Sequence, residues 1–107
     1  MPEFQRISPD AAKTLLDQAG TQLIDIRDAL AFQQGHIPGA QRIDNDNLAA
    51  FLARANKQAP LVVCCYHGIS SQNAASFLAG EGFTEVYSLD GGFEGWRGAF
   101  PELSSRD

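Results

Sequence analysis

The sequence predicts an α/β fold with a mostly parallel, five-stranded sheet and helices on both faces. Three observations carry that reading. Short apolar, β-branched runs alternate along the 107 residues with stretches whose apolar positions recur at helical spacing. The run Leu61-Val62-Val63-Cys64 is apolar without a break, the pattern of a strand covered on both faces. Glycine or proline marks many of the boundaries. Strands separated by helices need crossover connections, hence parallel pairing and helices on both sides.

The elements follow in order. Phe4-Gln5-Arg6-Ile7 alternates apolar and polar residues and reads as a first strand. Ser8 then caps a helix with Pro9 at its first position; Ala11, Ala12, Leu15, Leu16 and Ala19 keep the helical period until Gly20. Leu23-Ile24-Asp25-Ile26 is the second strand. Asp28 caps a short helix through Phe32, with Gly35 beyond it, and His36-Ile37-Pro38-Gly39-Ala40 is a turn segment. Arg42-Ile43 is a short strand, and Leu48, Phe51, Leu52 and Ala55 form an amphipathic helix. Pro60 precedes the strand Leu61 to Cys64. A helix from Ser70 or Ser71 to Gly80 carries Ala74, Ala75, Phe77 and Leu78. Val86-Tyr87-Ser88-Leu89 is the last strand. Asp90-Gly91-Gly92 leads into a final helix with Phe93 and Trp96, closed near Pro101. Residues 104–107 read as a frayed tail.

Composition narrows the function. The length fits one domain, 1–107, and 44% hydrophobic residues suffice for a modest core. A net charge of −5, with no Lys/Arg cluster, points away from nucleic acid and anionic membranes. No apolar run reaches the length of a membrane span, and Met1 to Arg6 lacks a signal-peptide pattern, so a cytoplasmic location is expected. No long apolar surface stands out, which suggests a monomer. The two cysteines are neighbours. Adjacent Cα atoms lie about 3.8 Å apart, short of the roughly 4.4 Å at which ordinary disulfides begin, so two free thiols in a reducing compartment are expected.

Cys65 is the candidate nucleophile. It ends the most apolar strand, a short loop with Gly68 follows, and a helix then starts at a serine. A helix N-terminus presents unpaired N–H groups and partial positive charge, and a curled loop turns further amides inward as an anion nest. Both favour a thiolate. The loop Tyr66, His67, Gly68, Ile69, Ser70 and Ser71 is the candidate anion-binding segment. Ser71 reads as a helix cap, and Ser70 as a contact to an anion held in the loop. His67 is either an exposed loop residue or a modulator of that anion, and Tyr66 is an exposed docking contact at the pocket mouth. A phosphatase with this strand–loop–helix plan needs an arginine six residues after the cysteine to grip phosphate bidentately. That position is Ser71, and the loop contains no arginine.

With these residues in view, the chain resembles the rhodanese family of sulfurtransferases. Asp25-Ile26-Arg27 with Phe32 and Gly35-His36-Ile37-Pro38-Gly39-Ala40 is similar to the family's N-terminal signature. Cys65 to Ser71 is similar to its active-site loop, and Asp90-Gly91-Gly92-Phe93-Glu94-Gly95-Trp96 to its C-terminal signature. The loop and the length look like those of its small, single-domain bacterial thiosulfate sulfurtransferases. The resemblance implies that Cys65 takes sulfur from thiosulfate as a persulfide and passes it to cyanide or to a thiol acceptor, thioredoxin among them. It implies no cofactor. The alternatives are a persulfide carrier and a non-catalytic rhodanese-like binding or regulatory module.

The remaining reactive side chains read as structural. Cys64 should point away from Cys65 into the core. His36 should bond within its turn, and Asp25 with Arg27 should form a fold-fixing pair. Phe93 and Trp96 are packing residues. The spacing of the cysteines and histidines does not match a metal site. With no Lys or Arg in the loop, thiosulfate binding is expected to be weak and held mainly by amides.

Overall fold

The computed structural model describes residues 3–106. The readings at Met1, Pro2 and Asp107 lie outside them. Along the chain run β1 (Gln5–Ile7), α1 (Pro9–Leu16), β2 (Gln22–Asp25), α2 (Ala29–Gln34), β3 (Gln41–Arg42), α3 (Leu48–Arg54), β4 (Leu61–Cys64), α4 (Ser70–Gly80), β5 (Val86–Leu89) and α5 (Gly92–Ala99). The sheet order is β1-β5-β4-β2-β3, and the four pairings between these strands are all parallel.

β4 is central, and all four of its residues are fully buried. Its alternate side chains feed two cores. Val62 and Cys64 pack with Ala12, Phe93 and Trp96 of α1 and α5. Leu61 and Val63 pack with Phe51 of α3 and Ala75 and Leu78 of α4. The period-two alternation of a strand thus sorts neighbouring cysteines onto opposite faces. The helix caps follow the sequence: Ser8 Oγ accepts from Ala11 N at 3.2 Å, and Asp28 Oδ1 accepts from Ala31 N at 2.8 Å.

Asp25 and Arg27 form the buried pair that their spacing suggests. Arg27 Nη2 donates to Asp25 Oδ2 at 2.7 Å and to the Gly35 carbonyl at 2.8 Å, locking the end of β2 to the end of α2. Asp25 is completely buried. Removing one member of such a pair strands the other charge, so Asp25→Ala is expected to cost about 3–5 kcal/mol. For a domain of this size that is a fall in melting temperature of more than about 10 °C, readable by thermal denaturation.

The tail differs from the sequence reading. His36 N donates to the Ser105 carbonyl at 3.0 Å and Ser105 N to the His36 carbonyl at 2.8 Å. Trp96 Nε1 donates to the Leu103 carbonyl at 2.8 Å. These bonds hold Ser105 against the turn after α2, so fraying does not begin at residue 104. Nothing in a Ser-Ser-Arg sequence signals such pairing, because the partner lies 69 residues away. His36 itself is buried, stacks on Phe32 with ring centroids 3.8 Å apart, and has Nδ1 2.7 Å from the Phe32 carbonyl. A carbonyl only accepts, so Nδ1 carries the proton.

Candidate active site

Cys65 follows β4 at the carboxyl end of the sheet, where α/β folds place their ligands. The residue is 2% exposed. Gly68 N donates to Cys65 Sγ at 3.1 Å and Ser71 N at 3.3 Å, and Ser71 Oγ lies 3.2 Å from the sulfur. Burial pushes the thiol pKa up. The Ser71 hydroxyl, then the amides of Ser71, Gly68 and His67, outweigh it, and the Cys65 pKa ends below its ordinary value. Cys64 shows the contrast. It is buried on the opposite side, and desolvation, reinforced by the negative charge of Asp25, drives its thiol well above the ordinary value. One cysteine is poised to ionise and its neighbour is held neutral.

The loop depends on a close fit with the β5–α5 turn. Gly68 has φ +84°, and a Cβ there would lie 2.7 Å from Gly91 N. Gly92 has φ +58°, and its Cβ would lie 2.4 Å from the Cys65 carbonyl oxygen. Real side chains do not fit at either point. The first free amides of α5 take up the loop's carbonyls: Phe93 N donates to Cys65 O at 2.8 Å and Glu94 N to Tyr66 O at 3.2 Å. Their carbonyls so engaged, the loop residues keep amides free to face the sulfur.

The loop residues divide accordingly. Gly68 and Ser71 surround Sγ. Ser71 does not cap α4: the cap position is Ile69, without a side-chain cap bond, and the Ser71 hydroxyl is spent on the sulfur and on Ser88. A helix whose first amides already serve an anion has no need of a serine cap. Ser70 is exposed and makes no hydrogen bond to Sγ among the described residues. Ile69 is 75% exposed and His67 is exposed. Tyr66 is 40% exposed, and its hydroxyl donates to the Asp28 carboxylate at the start of α2. The guanidinium of Arg27 sits 4.4 Å from the Phe93 ring and is committed to Asp25, so it leaves the sulfur to neutral donors. Among the described residues no group of three or more His, Cys, Asp or Glu could hold a metal.

Two residues of this site escape the sequence reading. Ser88 reads only as part of β5, yet its Oγ is 2.7 Å from Ser71 Oγ. Its signal is a hydroxyl at a buried strand position. Gly92 reads as a fold marker, yet it sets the distance between α5 and the loop; its signal is the Gly-Gly pair after a strand.

The chain is similar to known proteins in sequence and in fold. The sequence profile described as "Rhodanese-like domain" matches residues 8–99. A protein of Pseudomonas savastanoi pv. phaseolicola named "Thiosulfate sulfurtransferase GlpE" is 53% identical over 102 residues, covering 95% of each chain. A protein of the same name from Ectopseudomonas mendocina is 55% identical over 106 residues, covering 99% of this chain and 96% of its own. The crystal structure of a thiosulfate sulfurtransferase from Pseudomonas aeruginosa superposes with a TM-score of 0.85 at 24% identity, covering 98% of this chain and 20% of that longer one, a likeness of fold alone. On sequence profile and curated relatives together, this chain belongs to the rhodanese-like domain family.

Proposed function

We infer that the protein is a thiosulfate sulfurtransferase acting through Cys65. The observation that carries this reading is the buried Sγ with amides and a hydroxyl aimed at it, in a chain whose full-length relatives bear that name. The Cys65 thiolate attacks the outer sulfur of thiosulfate, the bond between the two thiosulfur atoms breaks, and sulfite leaves with its electron pair. A persulfide anion remains on Cys65. Cyanide then attacks the terminal sulfur and leaves as thiocyanate, or a thiol attacks it and leaves as its own persulfide; either step returns the Cys65 thiolate. The loop amides stabilise negative charge on sulfur before and after transfer, and no oxidant is consumed. The phosphatase reading has no support, because Ser71 fills the position where phosphate chemistry requires arginine.

Thiosulfate is held by amides rather than cations, and its binding is weak. The acceptor is a thiol; exposed Tyr66 and Ile69 beside the nucleophile give a thioredoxin-like protein a surface to approach. The two free thiols, Cys64 and Cys65, fit a reducing compartment, which supports a cytoplasmic location; among the described residues no helix is long and apolar enough to cross a membrane. Incubation with thiosulfate followed by intact-mass measurement tests the reading. A gain of one sulfur atom, cleared by cyanide with release of thiocyanate, is expected. No gain contradicts it, and a gain that neither cyanide nor a dithiol clears favours a persulfide carrier.

The lowered thiol pKa sets a pH dependence. The thiolate is the attacking form, so sulfur loading rises with pH through the folded-state pKa and levels off above it. The midpoint should fall below that of a free cysteine, about 8.5. Single-turnover loading rates across the pH range check this.

A further inference from the structure

We propose that Ser88 is a positioning residue for the Cys65 thiolate, acting through the hydroxyl of Ser71. The proposal rests on the reading of Cys65 as the nucleophile. Ser88 lies on β5, between β1 and β4, paired with Arg6 and Val63. It is 1% exposed, on the same face as Val63 and among the apolar side chains of that core. A hydroxyl in such a layer is costly unless it is hydrogen-bonded, and its side chain has one bond among the described residues, 2.7 Å to Ser71 Oγ. Ser71 Oγ lies 3.2 Å from Cys65 Sγ. The three atoms form a short chain from a rigid strand to the nucleophile.

The chain runs in either direction. With Cys65 protonated, the thiol donates to Ser71 and Ser71 donates to Ser88. With Cys65 ionised, the sulfur only accepts, so Ser71 donates to sulfur and Ser88 donates to Ser71. Both hydroxyls turn over together: in the ionised state every donor of the chain is used, whereas in the protonated state the Ser88 O–H has no acceptor among the described residues. The second arrangement is the stronger, because hydrogen bonds to an ionised partner are about twice as strong as neutral ones and linked hydroxyls polarise each other. Ser88 therefore stabilises the thiolate more than the thiol, without touching the sulfur.

The test titrates Cys65 by ultraviolet thiolate absorbance, with the curve of Cys65→Ser subtracted, in Ser88→Ala, Ser88→Thr and Ser88→Val. Threonine and valine have nearly the same shape in the buried strand and differ in the hydroxyl. Ser88→Ala and Ser88→Val should move the midpoint up by about half a unit to one unit, the size expected for one hydrogen bond. That is roughly a three- to tenfold loss of thiolate at a pH below both midpoints. Ser88→Thr should stay near wild type. In a Ser71→Ala background, Ser88→Ala should add no shift, because its route to the sulfur is gone. Equal midpoints in wild type, Ser88→Ala and Ser88→Val overturn the proposal, as does equal behaviour of the threonine and valine variants. A wild-type midpoint at the free-cysteine value overturns instead the reading of Cys65 on which the proposal rests.

Discussion

Cys65→Ser is expected to lose sulfur loading entirely and to lower turnover of thiosulfate and cyanide by at least about 10⁴-fold. The donors around Sγ stabilise an atom that ionises at a lower pH than an ordinary thiol. A serine hydroxyl in the same place stays protonated, and its oxygen is a poor leaving group if sulfur is ever attached. The fold should survive, because the Cys65 sulfur makes its bonds in the loop at the carboxyl end of β4 while the core residues beneath it are unchanged. Far-ultraviolet circular dichroism and intact-mass measurement after thiosulfate separate loss of chemistry from loss of structure. Residual loading in Cys65→Ser would shift attention to Cys64, which is buried, faces the opposite core and has its thiol held neutral by desolvation.

Gly92→Ala should come next in severity. The Cβ would meet Cys65 O at 2.4 Å, Tyr66 C at 2.6 Å and His67 N at 2.7 Å, and all three are backbone atoms that cannot rotate away. The left-handed conformation adds strain of roughly 1–2 kcal/mol and the overlap a similar amount, about 3 kcal/mol together. Relief requires the loop to slide away from α5, which breaks the bonds from Phe93 N and Glu94 N and turns the amides off the sulfur. Displacements near 1 Å typically cost about 10²-fold in rate, so kcat/KM should fall by about that much in the variant that remains folded. Gly20→Ala is the control. Its φ is +91° but nothing lies within 4 Å of the added Cβ, so it should lose stability alone and keep its specific activity. Normal turnover in Gly92→Ala would mean that the α5 contact does not shape the site.

Much of the architecture was legible in the sequence because local signals and burial coincide. β4 is an unbroken apolar run and is the central strand. Ser8 and Asp28 precede helices and cap them. Asp25 and Arg27, two residues apart at a strand's end, pair as their spacing suggests. The position of Cys65, at a strand end before a glycine-containing loop and a helix start, was readable from the sequence alone. What escaped is tertiary. Ser71 looks like a helix cap because a serine at a helix start usually is one; here the sulfur, reached through the loop's curl, competes for its hydroxyl and wins. Ser88 is 23 residues from Cys65 in sequence, and only the β4–β5 pairing brings its hydroxyl to Ser71. The anchored tail at Ser105 and the fit of Gly92 under the loop arise the same way, from contacts between distant segments that leave no periodic trace.

The account stands on a thiolate held by surrounding N–H and O–H groups, and the rate of alkylation of Cys65 as a function of pH measures that hold most directly. Peptide-level mass spectrometry assigns the label to Cys65 and shows Cys64 unmodified. The account predicts an alkylation midpoint clearly below the free-cysteine value of about 8.5. A midpoint at or above that value, in protein that is folded, would mean that burial outweighs the donors around the sulfur, and the mechanism would lack its nucleophile.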